Sequence, residues 1–402
     1  MTETDDDDAL TPIVIAGGGI GGLTAALALR QQGHNIVLLE KANEISEVGA
    51  GLQLSPNACS VLQRLDVLKD LEAFAYAPDG LRIWSGENGK QLARVELGKF
   101  IRERHGNPFW VIHRADLQRV LLDRAQKTPG ITIRLSCEVQ DLTPSPYDHL
   151  VCIYRLGEET ANQKCKALIG ADGVWSRTRR HIPGHVNARF SGQVAYRATV
   201  PIDQVDAKFA RDSGLWLHRN SHLVHYPIRG GRELNIVALA REDWSDETWS
   251  AKADKDAVLR VFKDWPAETR NLLGKPERWL KWALCSVDGS GPWTHGHVAL
   301  MGDAAHAMLP FMAQGAAMAI EDAAILAKHL PKNVQNIPSA LRSFERDRKP
   351  RASHIQGISR GNARTFHYSG PMAFARDTVL RLTKPKSLAA RFDDIYGWTP
   401  EQ

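Results

Sequence analysis

The sequence predicts an α/β chain with an α+β division into two domains: a parallel sheet interrupted by an antiparallel-sheet domain and followed by C-terminal helices. Three observations predict it. The chain opens on a β-α-β unit, with Ile13 to Ala16 as strand, Leu23 to Gln32 as an alanine- and leucine-rich helix closed by Gly33, and Asn35 to Glu40 as a second strand ending in an acid. Between about Phe190 and Val287, strand-like pieces such as Val194 to Val200 and Leu234 to Ala240 follow one another, as an antiparallel sheet requires. The apolar run Val298-Ala299-Leu300-Met301 then returns the chain to the first sheet, and a polar helical tail begins near Pro338.

The remaining elements follow in order. Gly49-Ala50-Gly51-Leu52-Gln53 reads as a flexible loop, and Ser55-Pro56-Asn57 starts a helix, with Ser55 at the N-cap and Pro56 in the first turn. Leu81 to Val95 reads as short β-like runs, Arg114 to about Ala125 as a helix, and Ala167 to Gly170 as a strand ending in Asp172-Gly173. Ala304 to Met312 reads as loop, and a helix begins at Gln314-Gly315-Ala316-Ala317-Met318.

Composition narrows the classes. The 402 residues suffice for two or three structural units, and 43% apolar with 24% charged residues is globular. A net charge of +5, with Lys and Arg spread widely, argues against a nucleic-acid partner. Five cysteines, an odd number with no C-x-x-C pair, read as reduced thiols in a cytoplasmic protein. Asp5 to Asp8 stand where a secretory signal needs positive charge, and read as a disordered tail. The apolar stretch Ala313 to Leu330 carries Glu321 and Asp322 at its middle, against a membrane span. His306 lacks partners at metal-ligand spacing, and the run Arg342 to Arg351 reads as a solvated helix face whose Arg346, Arg348 and Arg351 could steer anions.

Gly17-x-Gly19-x-x-Gly22 follows the first strand and opens the first helix, with Glu40 eighteen residues after the last glycine. In that context the first glycine permits a tight turn and the second lets backbone approach a pyrophosphate. The third lets helix and strand pack, and the helix N-terminus attracts phosphate charge. Glu40 would accept hydrogen bonds from ribose hydroxyls. NAD and FAD both fit such a fingerprint, and a second contact at Gly302-Asp303 favours the longer FAD, with Asp303 on the ribityl chain. The helix beginning at Gly315, Ala316 and Ala317 would turn its positive end toward the flavin.

The chain resembles the single-component FAD-dependent aromatic hydroxylases, the group of salicylate, 3-hydroxybenzoate and 6-hydroxynicotinate monooxygenases. The likeness spans nearly the whole chain. It is carried by Gly17 to Gly22, Ile112-His113-Arg114-Ala115-Asp116-Leu117, Gly170-Ala171-Asp172-Gly173-Val174-Trp175-Ser176-Arg177, and Gly302-Asp303-Ala304-Ala305-His306 through Ala313-Gln314-Gly315-Ala316. The resemblance implies that Arg114 contacts FAD, although an ion pair with Asp116 would also account for it. It implies that Asp172-Gly173 lies in a groove shared by FAD and the nicotinamide donor, and that Gly21, Lys41, Gln53 and Val139 lie at the cofactor. It divides the chain into an FAD-binding domain (11–78, 108–188 and 289–335), a substrate-binding domain (79–107 and 189–288) and a C-terminal helical region (336–402).

On the substrate side, His222 and Tyr226 in Asn220-Ser221-His222-Leu223-Val224-His225-Tyr226-Pro227 share a face of any strand they occupy. The segment is similar to the stretch where such hydroxylases set a histidine and a tyrosine against the substrate. A histidine of near-neutral pKa takes a phenol's proton and leaves an electron-rich ring, whereas a strand histidine bonded to backbone would do nothing of the kind. Pro310-Phe311 stands where relatives have a polar residue, which puts an apolar wall beside the ring.

The implied reaction is hydroxylation of a small hydroxyaromatic acid, salicylate or another hydroxybenzoate, through a C4a-hydroperoxyflavin formed from FAD, NADH or NADPH and O2. The alternatives are an N-heterocycle such as hydroxynicotinate or urate as substrate, an NAD-dependent dehydrogenase, and a flavin-binding regulatory protein. A monomer or homodimer is expected.

Overall fold

A computed structural model describes residues 11–45, 51–145, 149–244 and 250–401, so the acidic run Asp5 to Asp8 and Gly49-Ala50 lie outside the described residues. Four sheets organise the described residues. The first strand β1 (Ile13–Ala16) pairs in parallel with β2 (Ile36–Leu39) on one side and β11 (Ala167–Gly170) on the other. β7 (Ile131–Arg134) extends β2 and β19 (Val298–Leu300) extends β11, both in parallel, while β18 (Thr294–His295) closes the edge antiparallel. All four residues of β1, β2 and β11 are buried, as expected of parallel strands covered on both faces. The helix Ile20–Gln31 covers one face and packs on the helix Gly315–His329, where a Cβ on Gly21 would stand 3.2 Å from that of Ala319.

The second large sheet holds eight strands. It draws β4 (Gly80–Ser85) and β5 (Gln91–Glu96) from early in the chain, and β12 (Arg189–Pro201), β13 (Ser213–His218), β14 (Ser221–Ile228), β15 (Glu233–Arg241), β16 (Ser250–Ala253) and β17 (Trp279–Ser286) from the middle, in the order β16-β17-β12-β15-β14-β13-β4-β5. It is antiparallel except where β13 meets β4. Alternation divides its side chains between two cores. Val194, Tyr196, Trp216, Leu223 and Ile236 pack with Phe262 and Trp265 behind the sheet. Ala195, Val237 and Leu239 pack with Phe311 in front.

Two smaller sheets join the large ones. β8 (Cys137–Ser145), β9 (His149–Leu156) and β10 (Glu159–Cys165) form a three-stranded meander that the sequence reading passed over. β3 (Gly51–Leu54) pairs with β6 (Trp110–His113), so Gly51 to Gln53 are strand and not the loop expected. The reason is tertiary. The Gly51 N–H donates to Asn235 Oδ1 at 2.7 Å, and a Cβ on Gly51 would fall 2.4 Å from Cε2 of Tyr226, so only glycine lets this strand approach the eight-stranded sheet.

The other expectations differ in detail. The first helix starts at Ile20, three residues early, and the expected loop Ala304 to Met312 holds a helical turn Asp303–His306 and a 3-10 turn Pro310–Met312. The tail contains a 30-residue helix, Ile337–Phe366. Among the described residues no helix is long and apolar enough to cross a membrane.

Candidate active site

A cavity of about 1360 Å³ runs between the parallel sheet and the front of the eight-stranded sheet. Gly17, Gly19, Gly21, Glu40, Lys41, Gln53, Arg114, Val139, Asp172, Asp303, Gly315, Ala316, His222 and Tyr226 all line it. Gly22 and Ala317, also expected at the site, do not; Ala317 is wholly buried in its helix.

The glycines sort by geometry. Gly17 has φ +107° and a Cβ there would meet Ala171 O at 2.4 Å, so the turn requires glycine. Gly19 opens on empty space, which leaves the backbone approachable from the cavity. Gly22 stands so close to Gly17 that a Cβ would meet its carbonyl oxygen at 2.0 Å, a packing requirement between helix and turn. The Glu40 carboxylate accepts from Gly18 N at 2.6 Å and from Ala42 N at 2.8 Å, tying the glycine turn to the end of β2.

Beside the glycine turn, Gly302 packs on the same Ala319 as Gly21, takes φ +56° and donates to Asp322 Oδ2 at 2.8 Å. Asp303, next in the chain, is exposed in the cavity wall. The 15-residue helix Gly315–His329 begins at that wall, and Met318 N is the first amide to bond back, to Gln314 O at 2.8 Å. The earlier amides of its first turn have no partner within the helix, and a Cβ on Gly315 would meet nothing within 4 Å. A long dinucleotide with an electron-accepting ring fits this wall, which sets a glycine cradle and helix N-terminus beside an exposed carboxylate and a second helix N-terminus.

Two carboxylates weighed in the sequence are held by the protein itself. Asp172 accepts from Ser176 Oγ at 2.6 Å, Arg177 N at 2.9 Å, and Thr178 N and Oγ1 at 3.0 Å each. Its carboxylate therefore fixes the turn that carries Gly173, Val174 and the half-exposed Trp175 into the cavity wall. Asp116, considered as a partner of Arg114, is buried and held by Arg229 at 3.2 Å and Arg119 at 3.5 Å.

On β14, His222, Val224 and Tyr226 face the cavity while Leu223 and His225 face the core behind. His222 is 2% exposed, and its Nδ1 lies 3.0 Å from Nε2 of His367, so it is bonded to a second imidazole and not to backbone. Burial, with His367 beside it, drives His222 well below the ordinary histidine range; the near-neutral value expected from sequence is not what this environment sets. Phe311 packs on the His222 ring at 5.0 Å between centroids, the apolar wall foreseen from Pro310-Phe311. Tyr226 is 4% exposed, and burial pushes its phenol up.

Sequence reading missed two groups here. Arg197 on β12 lines the cavity and lies over the Trp282 ring at 4.5 Å. It is cross-strand to Val237, which is cross-strand to Val224, so it shares the His222–Tyr226 face. Its signal was one cation inside the apolar run Val194 to Val200. The C-terminal residues Leu388, Phe392 and Tyr396 also reach the cavity, which no local pattern announced.

The profile of a family described as "FAD binding domain" matches residues 10–357. The chain is 35% identical over 387 residues to 3-hydroxybenzoate 6-hydroxylase 1 of Aquipseudomonas alcaligenes, covering 96% of this chain and 97% of that one. The chain belongs to the single-component FAD-dependent aromatic hydroxylases. A 3-hydroxybenzoate 6-hydroxylase of Polaromonas naphthalenivorans (strain CJ2) is also 35% identical, over 98% of this chain and 97% of its own. A salicylate hydroxylase solved as a substrate complex superposes with TM-score 0.82 at 26% identity, over 98% and 97% of the two chains. Klebsiella pneumoniae HpxO, complexed with FAD and uric acid, shares the fold with TM-score 0.83 at 22% identity, over 96% of each chain. Like its family, the chain is an FAD-dependent aromatic monooxygenase that takes electrons from NAD(P)H. A dehydrogenase or a regulatory flavin carrier is thereby set aside.

Proposed function

We propose that this hydroxylase acts on a small hydroxylated aromatic acid of the hydroxybenzoate class. The observation that carries the reading is the front of the eight-stranded sheet, where a neutral imidazole, a phenol and a guanidinium face one apolar chamber. Bound FAD, reduced by the nicotinamide donor, supplies the oxygen-transfer chemistry.

The chain's own residues do the rest. His222, neutral because it is buried, accepts the substrate's phenolic proton, and the resulting phenolate makes the ring a better nucleophile. Tyr226 donates a hydrogen bond that orients the ring, and Arg197 supplies the positive charge for a carboxylate. Phe311 and Val224 exclude water that would divert the oxidant to hydrogen peroxide. Gly17, Gly19, Glu40, Lys41 and Arg114 hold the adenosine and phosphate end of FAD. Asp303 holds the ribityl chain, and Gln53, Val139, Gly315 and Ala316 border the rest. The relatives named for 3-hydroxybenzoate and salicylate point to the same substrate class.

Strand membership supports the division into 11–78, 108–188 and 289–335 for FAD and 79–107 and 189–288 for the substrate, since the two large sheets draw on those segments. The C-terminal region 336–402 then roofs the chamber. All five cysteines are free, which favours a cytoplasmic setting.

A panel of phenolic acids tests the reading. Salicylate, 3-hydroxybenzoate and 4-hydroxybenzoate should stimulate NAD(P)H oxidation with matching product, and phenol without a carboxylate should stimulate it far less. Equal turnover of phenol would remove Arg197 from the substrate, and coupled turnover of urate or hydroxynicotinate alone would replace the substrate class.

A further inference from the structure

His222 is not the end of its hydrogen-bonded chain. His367, immediately after the helix Ile337–Phe366, sets its Nε2 at 3.0 Å from His222 Nδ1, and the rings lie 5.2 Å apart between centroids. Phe311 packs against both imidazoles and Phe366 against His222, which shields the inner ring. The Nδ1 of His367 is buried with no hydrogen-bond partner among the described residues, an arrangement that ordinary core packing avoids. At 9% exposed, against 2% for His222, His367 is the outer member of the pair.

We infer that His222 and His367 form a two-imidazole proton relay, in which His367 carries away the proton that His222 would otherwise have to store. This rests on the reading of His222 as the base for a phenolic substrate. The bond between the rings requires one nitrogen to donate and the other to accept. With His222 Nδ1 protonated, its Nε2 is left as the lone pair for the substrate. The substrate O–H breaks and an Nε2–H forms on His222; the His222 Nδ1–H proton passes to His367 Nε2; the His367 Nδ1–H proton passes to a water at the outer edge. Each ring gains one proton and loses one, and the phenolate oxygen keeps the electron pair.

The surroundings favour transfer over storage. His222 on β14, His218 on β13, Arg241 at the end of β15 and Arg376 on the helix Gly370–Leu382 face His367, and none of them is an acid. Burial first, then Arg241, Arg376 and His218, lowers His367 to about 4. A cation on His367 is therefore short-lived, and the proton moves on.

His367 acts through His222 and is a positioning and relay residue, so its test must separate relay from packing. The FAD-loaded wild type, His367→Gln and His367→Phe are mixed with 3-hydroxybenzoate, and proton release is followed with an indicator dye beside ligand affinity. Gln accepts the Nδ1–H bond of His222 but passes no proton. The expected result is near-normal affinity for His367→Gln with proton release slowed by about tenfold or more in both variants, and a pH midpoint for release raised by about one unit. Release at the wild-type rate in both variants overturns the relay. So does lost affinity or lost FAD with unchanged release per bound ligand, the signature of packing alone. If the wild type binds phenolic acids without releasing a proton, His222 itself is not their base and the relay falls with it.

Discussion

Replacing Arg348 by leucine should cost this protein more than any surface arginine, because Arg348 lies at the centre of a buried charge cluster. Its side chain is 1% exposed between two fully buried carboxylates, donating to Glu321 Oε2 at 2.8 Å and to Asp322 Oδ1 at 2.7 Å. Asp322 also takes His306 Nε2 at 2.6 Å and the Gly302 N–H at 2.8 Å. Glu321 also takes Arg351 and, at 2.6 Å, Asn57 Nδ2. Burial alone would push Asp322 up, but His306, Arg348 and the Gly302 amide outweigh it and hold the carboxyl below its ordinary range. Arg348→Leu leaves two buried carboxylates short of one cation, at a cost of about 3–5 kcal/mol. That is a large fraction of a typical total of about 5–15 kcal/mol. Urea unfolding of the apoprotein, followed by circular dichroism, reads it directly. Arg351→Leu, at a residue 15% exposed, should cost less. A loss under about 1 kcal/mol for Arg348→Leu, within the range of exposed pairs, would refute the reasoning. The sign with pH follows from the depressed carboxyl: the stabilisation is complete above the ordinary value of 3.8 and fades as pH falls through the native one. The wild type should therefore lose stability in acid more steeply than Arg348→Leu.

Three further outcomes are expected. Asp303→Ala should purify with less FAD, since it removes the exposed carboxylate at the ribityl end; full FAD content by absorbance would contradict that assignment. Glu40→Ala should weaken FAD binding by about 1–3 kcal/mol, through the ribose contact and the lost anchor on Gly18 N, as measured by fluorescence titration of the apoprotein. His222→Ala should still bind the aromatic acid and still reduce its flavin, while oxygen transfer falls by about 10²–10⁴-fold, NAD(P)H oxidation continues and hydrogen peroxide accumulates. Unchanged coupling in that variant would place the base elsewhere.

The glycine-lined wall of the cavity was legible because its requirements are local. A tight turn, a close backbone approach and a helix start each demand particular residues at fixed spacing, and Gly17, Gly19, Gly22 and Gly302 carry those demands in the sequence itself. The alternation that put His222 and Tyr226 on one face was equally local. What was not legible depends on partners far away in the chain. Arg348 and Arg351 read as solvated because they sit among Glu345, Arg346 and Asp347, yet helix packing turns these two inward to Glu321 and Asp322. Gly51 read as loop because its strand exists only through β6 and the contact with Tyr226. His367 carries no pattern at all; 145 residues separate it from His222.

These distant contacts also explain how two sheets hold one chamber. Asn57 and Gln314 bond each other at 3.1 Å, Gln314 donates to Ser55 Oγ at 2.9 Å, and Asn57 continues to Glu321. The start of the helix Pro56–Arg64 is thereby tied to the start of the helix Gly315–His329, whose first turn lines the cavity. Glu321 passes the connection to Arg351, whose guanidinium also donates to Ile395 O at 3.0 Å, beside Tyr396 in the chamber wall. This charge cluster thus fixes the helix Gly315–His329 and the C-terminal roof against each other. Loosening it should open the chamber to water before it unfolds the chain, so partial uncoupling in Arg351→Leu, with FAD still bound, is the outcome this connectivity requires.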